Sequence, residues 1–485
     1  MSIKIVLLNT PFLPMYSRAS RSPAVTKSST LYYPIWLAYA TGVLEKGGHD
    51  VKLIDAPAYD YSRQDVYSII QKFAPDMVVV DTTTPSIYND LDVASEIKNK
   101  FKPFTVLVGT HASALPAEVL KDCPEVDAVA RGEYEFILSD VADALARSKD
   151  LTGVKGLTYR QDGKIFNNPD MPKIEDLDSI PFVSGVYKRH LESVITKYFY
   201  GANRHPVVTI LSGRGCPYQC CYCVYPQVML GHKYRYRSIQ NVVDEMEYIQ
   251  QAFPYVREIF LEDDTLTVNR ERTLALCEEI RRRKLKVVWS TNSRAQVDYE
   301  TLRKMKKAGC RLLCVGYESG DQKVLDALGK NLTLKEIYEF TKNAKKAGIL
   351  IHGCFLVGNP GETHESLEKT LNMAKELNPD TAQFYPIMVY PGTRAYNWAK
   401  ENNYLITEDY SQWLNSEGLH YCVVSKPELS RDDLVDWCDR ARREFYLRPG
   451  YISSKLLQGV THPSELSRLF RGFKSLLRFL FTTTN

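Results

Sequence analysis

Short, unbroken apolar runs punctuate the first third of the chain, at residues 3–8, 51–54, 77–80, 105–108 and 128–130. Between them lie stretches of helical periodicity, at 34–46, 63–73, 90–101 and 117–121. Strands that are apolar throughout belong in a parallel sheet covered on both faces. The pattern predicts a doubly wound, Rossmann-like α/β domain over residues 1–145, with ligands at the carboxyl ends of its strands. Polar segments fall at those ends: Asn9-Thr-Pro, Asp81-Thr-Thr83-Thr-Pro-Ser86, Gly109-Thr-His111-Ala-Ser113 and Arg131-Gly132-Glu133. No G-x-G-x-x-G follows the first run, which argues against a dinucleotide.

Residues 146–200 read as a connector with a small hairpin, 154–159 and 164–167, around the turn Asp162-Gly163. A second alternation follows, with strands at 207–212, 258–262, 286–291, 311–316, 350–357 and 381–388. Long amphipathic helices separate them, for example 239–251 and 334–347. Six strand–helix units predict a partial, open (β/α)6 barrel over 201–405, with its working residues at the carboxyl ends. Residues 406–485 read as a helical region. Near its end, Arg468, Arg471, Lys474 and Arg478 share one helical face, opposite Leu469, Phe470, Phe473, Leu476, Leu477 and Leu480. Such a helix can lie in a membrane interface or dock on the barrel.

With 44% hydrophobic and 25% charged residues, composition is that of a soluble globular protein. A net charge of +4 over 485 residues gives no case for a nucleic-acid partner. No apolar stretch reaches membrane-spanning length, and the first strand starts directly after the N-terminus. The expectation is a cytoplasmic protein, with the tail offering peripheral contact at the inner membrane face.

Seven of the eleven cysteines (Cys123, Cys277, Cys310, Cys314, Cys354, Cys422 and Cys438) are scattered and read as small buried hydrophobes. The other four crowd into Cys216-Pro-Tyr-Gln-Cys220-Cys-Tyr222-Cys223, directly after the first barrel strand. The spacing C-x3-C-x2-C wraps three soft thiolates around one iron–sulfur cube and leaves one iron open. Zinc would want a fourth ligand, for which only His232 lies near, and Cys221 reads as a bystander.

Cys216, Cys220, Tyr222 and Cys223 match the C-x3-C-x-aromatic-C signature, so the chain resembles the radical S-adenosylmethionine (SAM) superfamily. The resemblance implies a [4Fe–4S] cluster on the three cysteines, with Tyr222 near the adenine of SAM. Further matches end successive barrel strands: Glu262-Asp-Asp264, Ser290-Thr-Asn-Ser-Arg294, Gly316-Tyr-Glu318-Ser-Gly320 and Gly358-Asn-Pro-Gly361-Glu362. By the resemblance, Asp264, Arg294, Glu318, Gly358 and Gly361 contact SAM, with Glu318 on the ribose hydroxyls. Carboxylates accept from hydroxyls, Arg pairs with a carboxylate, and Gly admits close backbone contact.

A doubly wound domain ahead of such a barrel resembles the cobalamin-binding radical SAM class, which points to Thr83, Gly109, His111 and Gly132 as cobalamin contacts. The D-x-H-x-x-G motif for a lower axial histidine is absent, so His111 reads as a loop hydrogen-bonder, and a vestigial domain without cobalamin stays open. Over nearly the full chain the likeness is to the cobalamin-domain enzymes associated with hopanoid lipid biosynthesis. More distantly, it is to the anaerobic magnesium-protoporphyrin ester cyclases. Tyr33-Pro-Ile-Trp-Leu37, Gly231-His-Lys-Tyr-Arg235 and Tyr390-Pro-Gly-Thr393 help to carry it. The implied activity is a 5′-deoxyadenosyl radical attacking a C–H bond of a hydrophobic or lipid-like substrate, leading to methylation, cyclisation or rearrangement. A cobalamin-dependent C-methyltransferase on a small natural product and a non-enzymatic iron–sulfur or cobalamin redox sensor are the alternatives. The electron donor implied is a flavodoxin or ferredoxin.

Overall fold

The computed structural model describes residues 2–26 and 28–461; the basic amphipathic stretch 466–481 lies outside the described residues. The first sheet holds β1 (Lys4–Asn9), β2 (Asp50–Asp55), β3 (Met77–Thr82), β4 (Phe104–Gly109), β5 (Ala128–Ala130), β6 (Leu157–Gln161) and β7 (Lys164–Asn167). Their order is β2-β1-β3-β4-β5-β6-β7, with the first five parallel and the last two antiparallel. Every residue of β3 is buried, as a central strand covered on both faces requires. The order reverses between β1 and β3, and ligands of such sheets sit outside the carboxyl ends at that reversal. The hairpin read from sequence as part of a connector is thus the edge of this sheet. Its first strand starts at Leu157, beyond Gly156, whose φ of 78° turns the chain into the pairing.

The second domain opens with β8 (Val207–Ile210) and a two-residue ribbon, β9 (Gly213–Arg214) with β10 (Arg235–Tyr236). It continues through β11 (Glu258–Leu261), β12 (Trp289–Ser293), β13 (Cys310–Glu318), β14 (Leu350–Val357) and β15 (Thr381–Pro386). The order β15-β14-β13-β12-β11-β8 is all parallel, and the outer strands do not pair, so the barrel is open. Ser238, Asn269, Asp298, Thr333 and Thr363 cap the helices that follow, each accepting a backbone N–H. Caps worth about 1 kcal/mol each fix where every strand-end loop stops. At the edge strand β15, Tyr446 of the helix Arg431–Tyr446 bonds both the N–H (2.8 Å) and the carbonyl (2.7 Å) of Ala382.

Two buried devices join the halves. The Tyr33 ring stacks between Tyr187 (4.4 Å) and Tyr198 (3.9 Å), and its hydroxyl donates to the Val207 carbonyl at 2.8 Å. The second is ionic. Glu133, from the loop after β5, receives Arg235 at 2.8 and 3.0 Å and Arg214 at 3.3 Å, and Arg214 also meets Glu135 at 2.7 Å. All four side chains are 2–3% exposed. Glu133, expected from sequence at a ligand, therefore ties the first domain to the ribbon that carries the cysteine loop. Arg131 is likewise spent on the hairpin, through Thr158 (2.5 Å) and Asn167 (2.6 Å). Removing one partner of a buried pair leaves charge without compensation, at a cost of about 3–5 kcal/mol. Glu133→Ala is expected to lose that much in urea denaturation; a loss under about 1 kcal/mol would contradict the assignment.

Candidate functional site

The cysteine loop leaves β9 at Gly215, whose φ is 84° and whose missing Cβ would sit 2.4 Å from the Lys233 carbonyl. Only glycine turns here. The loop's polar backbone is satisfied from outside it. Gln227 donates its amide to the carbonyls of Cys221 (3.0 Å) and Cys223 (2.9 Å), and Cys216 N–H reaches the Gly231 carbonyl at 3.3 Å. His232, the one zinc candidate, instead turns Nδ1 to the carbonyls of Cys216 (3.2 Å) and Tyr218 (3.0 Å).

Cys216, Cys220 and Cys223 are free and partly exposed, whereas Cys221 is buried. The loop brings the thiols together: Cys220 helps to raise the pKa of Cys216, and Cys216 and Cys220 help to raise that of Cys223. Burial is the larger cause, pushing Cys216 up to about 11. Among the described residues no three ligand side chains converge tightly enough for a single ion. A tetrahedral zinc with bonds of about 2.3 Å would require that convergence. A cluster spreads its thiolates over separate irons, and three soft donors on one loop suit it.

Glu318 ends β13 with φ 65°, a left-handed conformation that a non-glycine residue adopts at a cost. Its Oε1 accepts from Tyr222 (2.9 Å) and from Lys330 Nζ (2.7 Å), while its Oε2 is buried with no partner. Gly316 makes room, since a Cβ there would lie 2.2 Å from that Oε1. Lys330 is 5% exposed and in electrostatic reach of Cys220. Sequence reasoning missed it: nothing in the order Gly-Lys-Asn marks a buried charge. An orphaned carboxylate oxygen and an ammonium with donors to spare can hold a polar ligand beside the cysteines.

Asp264 lies between the cysteines and the first domain. Its Oδ2 accepts from Gly215 N–H at 3.2 Å, and Arg21 reaches its Oδ1 at 3.2 Å. Burial raises its pKa, against the pull of Arg21. Asp263, its neighbour, anchors Ser212 and Tyr234 at 2.6 and 2.7 Å. Gly358 and Gly361 turn with φ of 88° and 73°, and Lys426 braces their loop through the carbonyls of Asn359 (3.0 Å) and Glu362 (2.9 Å). Arg294, expected at SAM, lies in electrostatic reach of Cys216. It stacks on Tyr218 at 3.5 Å and donates to the carbonyls of Lys330 and Asn331, so it shapes the Lys330 turn.

In the first domain, Asp81, Thr83, Gly109, Trp36, Tyr134 and Tyr225 line a cavity. Gly109 is obligatory, because a Cβ would lie 2.3 Å from the Thr82 carbonyl. Burial lifts Asp81 to about 7, and the Tyr134 hydroxyl is buried without a partner. That orphan leaves a hydrogen-bonding group free for a polar ligand at the strand ends. His111 packs elsewhere, with Nδ1 3.1 Å from Thr84 and its ring edge against Tyr410; burial drives its pKa down to about 3. Gly132 adjoins Lys173 and Met229.

This architecture is that of a radical SAM enzyme with a B12-binding domain. The radical SAM superfamily model matches residues 210–374, and the B12 binding domain model matches residues 21–142. An uncharacterized methyltransferase of Pyrococcus horikoshii is 32% identical over 441 residues, covering 90% of this chain and 93% of its own. The anaerobic magnesium-protoporphyrin IX monomethyl ester cyclase of Rubrivivax gelatinosus is 31% identical, covering 86% and 74%. The hopanoid C-3 methylase of Methylococcus capsulatus is 25% identical, covering 78% and 70%. The radical SAM methyltransferase TsrM of Kitasatospora setae, solved with cobalamin and a [4Fe–4S] cluster, shares the fold at TM-score 0.71 and 17% identity, covering 93% and 90%. The chain belongs to the cobalamin-domain radical SAM family, and its cofactors are a [4Fe–4S] cluster, SAM and cobalamin.

Glu318→Gln is expected to raise the Kd for SAM at least about tenfold, measured calorimetrically on the reconstituted protein, with iron content unchanged. A tenfold change is about 1.4 kcal/mol, the scale of one hydrogen bond to a charged group. A Kd within about twofold of the parent would contradict the placement of SAM at Glu318.

Proposed function

We propose that this enzyme performs radical C–H chemistry on a substrate with a hydrophobic body, methylating or cyclising it. The observation that carries the reading is one of position. Tyr225, only two residues beyond Cys223, carries the chain from the cysteine loop into the wall of the first-domain cavity, while Tyr222 in the same loop holds Glu318. The Tyr225 ring lines the cavity, and Arg21, which holds Asp264, sits 5.8 Å over that ring. A substrate at this junction is within reach of both cofactors.

Each residue then has a definable task. Cys216, Cys220 and Cys223 hold the cluster, which with bound SAM supplies a 5′-deoxyadenosyl radical and with cobalamin a transferable methyl group. Glu318 offers its free oxygen to a ribose hydroxyl, and Tyr222 lies on the adenine side. Lys330 holds Glu318 in place and brings positive charge beside Cys220. Asp264 and Arg21 pair at 3.2 Å and set opposite charges beside the cysteine loop. Thr83, Gly109 and Tyr134 would hold cobalamin at the carboxyl ends of the first sheet, while His111 is engaged by Thr84 and Tyr410. Reduction comes from outside the chain, by a flavodoxin- or ferredoxin-type donor. A redox sensor would have no use for a carboxylate oxygen left free for a polar ligand beside the cysteine loop.

Products separate the outcomes. With dithionite, SAM and substrate, a methylase forms S-adenosylhomocysteine together with 5′-deoxyadenosine, whereas a cyclase forms 5′-deoxyadenosine without S-adenosylhomocysteine. The expected result is 5′-deoxyadenosine, with S-adenosylhomocysteine beside it for methylation and without it for cyclisation, read by mass spectrometry. Neither product from cluster-replete protein would overturn the enzymatic reading in favour of a sensor.

A further inference from the structure

We propose that the helix Pro449–Thr461 docks this enzyme on an anionic lipid surface. A helix on the outside of a soluble domain turns its apolar stripe inward and its polar stripe to water. This helix does the reverse. Tyr451, Lys455 and Gln458 are partly buried and Gly459 is buried, whereas Ile452, Leu456, Leu457 and Val460 occupy the opposite arc. Leu456, Leu457 and Val460 are 68%, 64% and 79% exposed. Polar bonds hold the inward side. Tyr451 donates to the Asp380 carbonyl at 2.7 Å, and Lys455 reaches Asp380 Oδ1 at 2.8 Å and Gln458 Oε1 at 3.0 Å. The Tyr451 ring packs on Phe445 and Tyr446 at 5.2 and 5.3 Å. These anchors set the rotation of the helix and keep its apolar side outward. A single exposed leucine needs no explanation, but a contiguous apolar face marks a contact surface.

Charge decides what covers that face. Residues 440–485 hold nine lysines and arginines against Glu444 and Glu465, a net +7 in a chain whose total is +4, so the rest of the chain sums to −3. After four intervening residues the sequence runs into 466–481, which carries Arg468, Arg471, Lys474 and Arg478, no acidic residue, and a Leu or Phe at nine of its sixteen positions. Anionic headgroups over hydrocarbon answer both features, since they attract the cations and admit apolar side chains beneath. A nucleic acid would meet the charge and leave Ile452, Leu456 and Val460 in water. A second copy of this chain would cover them and set like charge against like charge. Asp380 immediately precedes β15, so the helix lies by the amino ends of the parallel barrel strands, at the pole opposite the cysteine loop. Docking here leaves the candidate site uncovered.

Flotation of the full-length, reconstituted enzyme with vesicles tests this. Pure phosphatidylcholine is compared with phosphatidylcholine containing about 30% phosphatidylglycerol, in about 0.1 M salt. Binding is expected to be about tenfold or more tighter to the anionic vesicles, and to weaken about tenfold in roughly 0.5 M salt. Leu456→Gln with Val460→Gln is expected to weaken it about tenfold or more, with SAM cleavage and the circular dichroism spectrum as in the parent. Both side chains point outward, so the exchange leaves the packing intact. No flotation with the anionic vesicles, equal binding to both kinds, or a double variant that binds like the parent would each overturn the proposal. So would a dimer, seen by light scattering without vesicles, that the double variant abolishes, since the face would then belong to a second copy.

Discussion

Everything at this site depends on one constraint: three thiols must share one side of a loop whose own peptide groups are bonded elsewhere. A loop wrapped around a metal cluster cannot use that cluster to satisfy its carbonyls. Gln227 and His232 take on that work from outside the loop, and Gly215 gives the turn that no other residue could make without striking Lys233. The ribbon β9/β10 holds both ends of the loop, and the buried Glu133–Arg235 and Glu135–Arg214 pairs fix that ribbon to the first domain. The cluster loop is therefore tied to the first domain, which carries the cavity at its strand ends, by this ionic cluster.

Charge is arranged around the cysteines with similar economy. Thiols that burial keeps protonated become ligands only when a cation offsets their charge, and iron supplies it. Lys330 on one side and Arg21 on the other add positive charge, each balanced by a carboxylate, Glu318 or Asp264. These pairs are incomplete. Glu318 keeps an oxygen free, and the left-handed backbone at that residue is strain held at the point where a ligand would bind.

Much of this was legible in the chain itself. Continuous apolar strands gave away both sheets, and the spacing of Cys216, Cys220 and Cys223 gave away the cluster. Glu318 and Tyr222, distant in sequence, were both named from motifs and are hydrogen-bonded to each other. The failures have physical causes. Lys330 does the cationic work from an unremarkable turn, and Gln227 looks like any amide; burial and partners, which a sequence does not display, decide both. His111 and Glu133 were placed at strand ends correctly, but Tyr410 and the arginines of the second domain claim them.

The central claim is that the three cysteines hold a [4Fe–4S] cluster with one iron open to SAM. Electron paramagnetic resonance of the anaerobically reconstituted, dithionite-reduced protein, before and after SAM, tests it most directly. The account predicts iron and sulfide in the ratio of such a cluster and a signal whose g values shift when SAM is added. A signal indifferent to SAM, or one that survives replacement of Cys216, Cys220 and Cys223 by alanine, would contradict it.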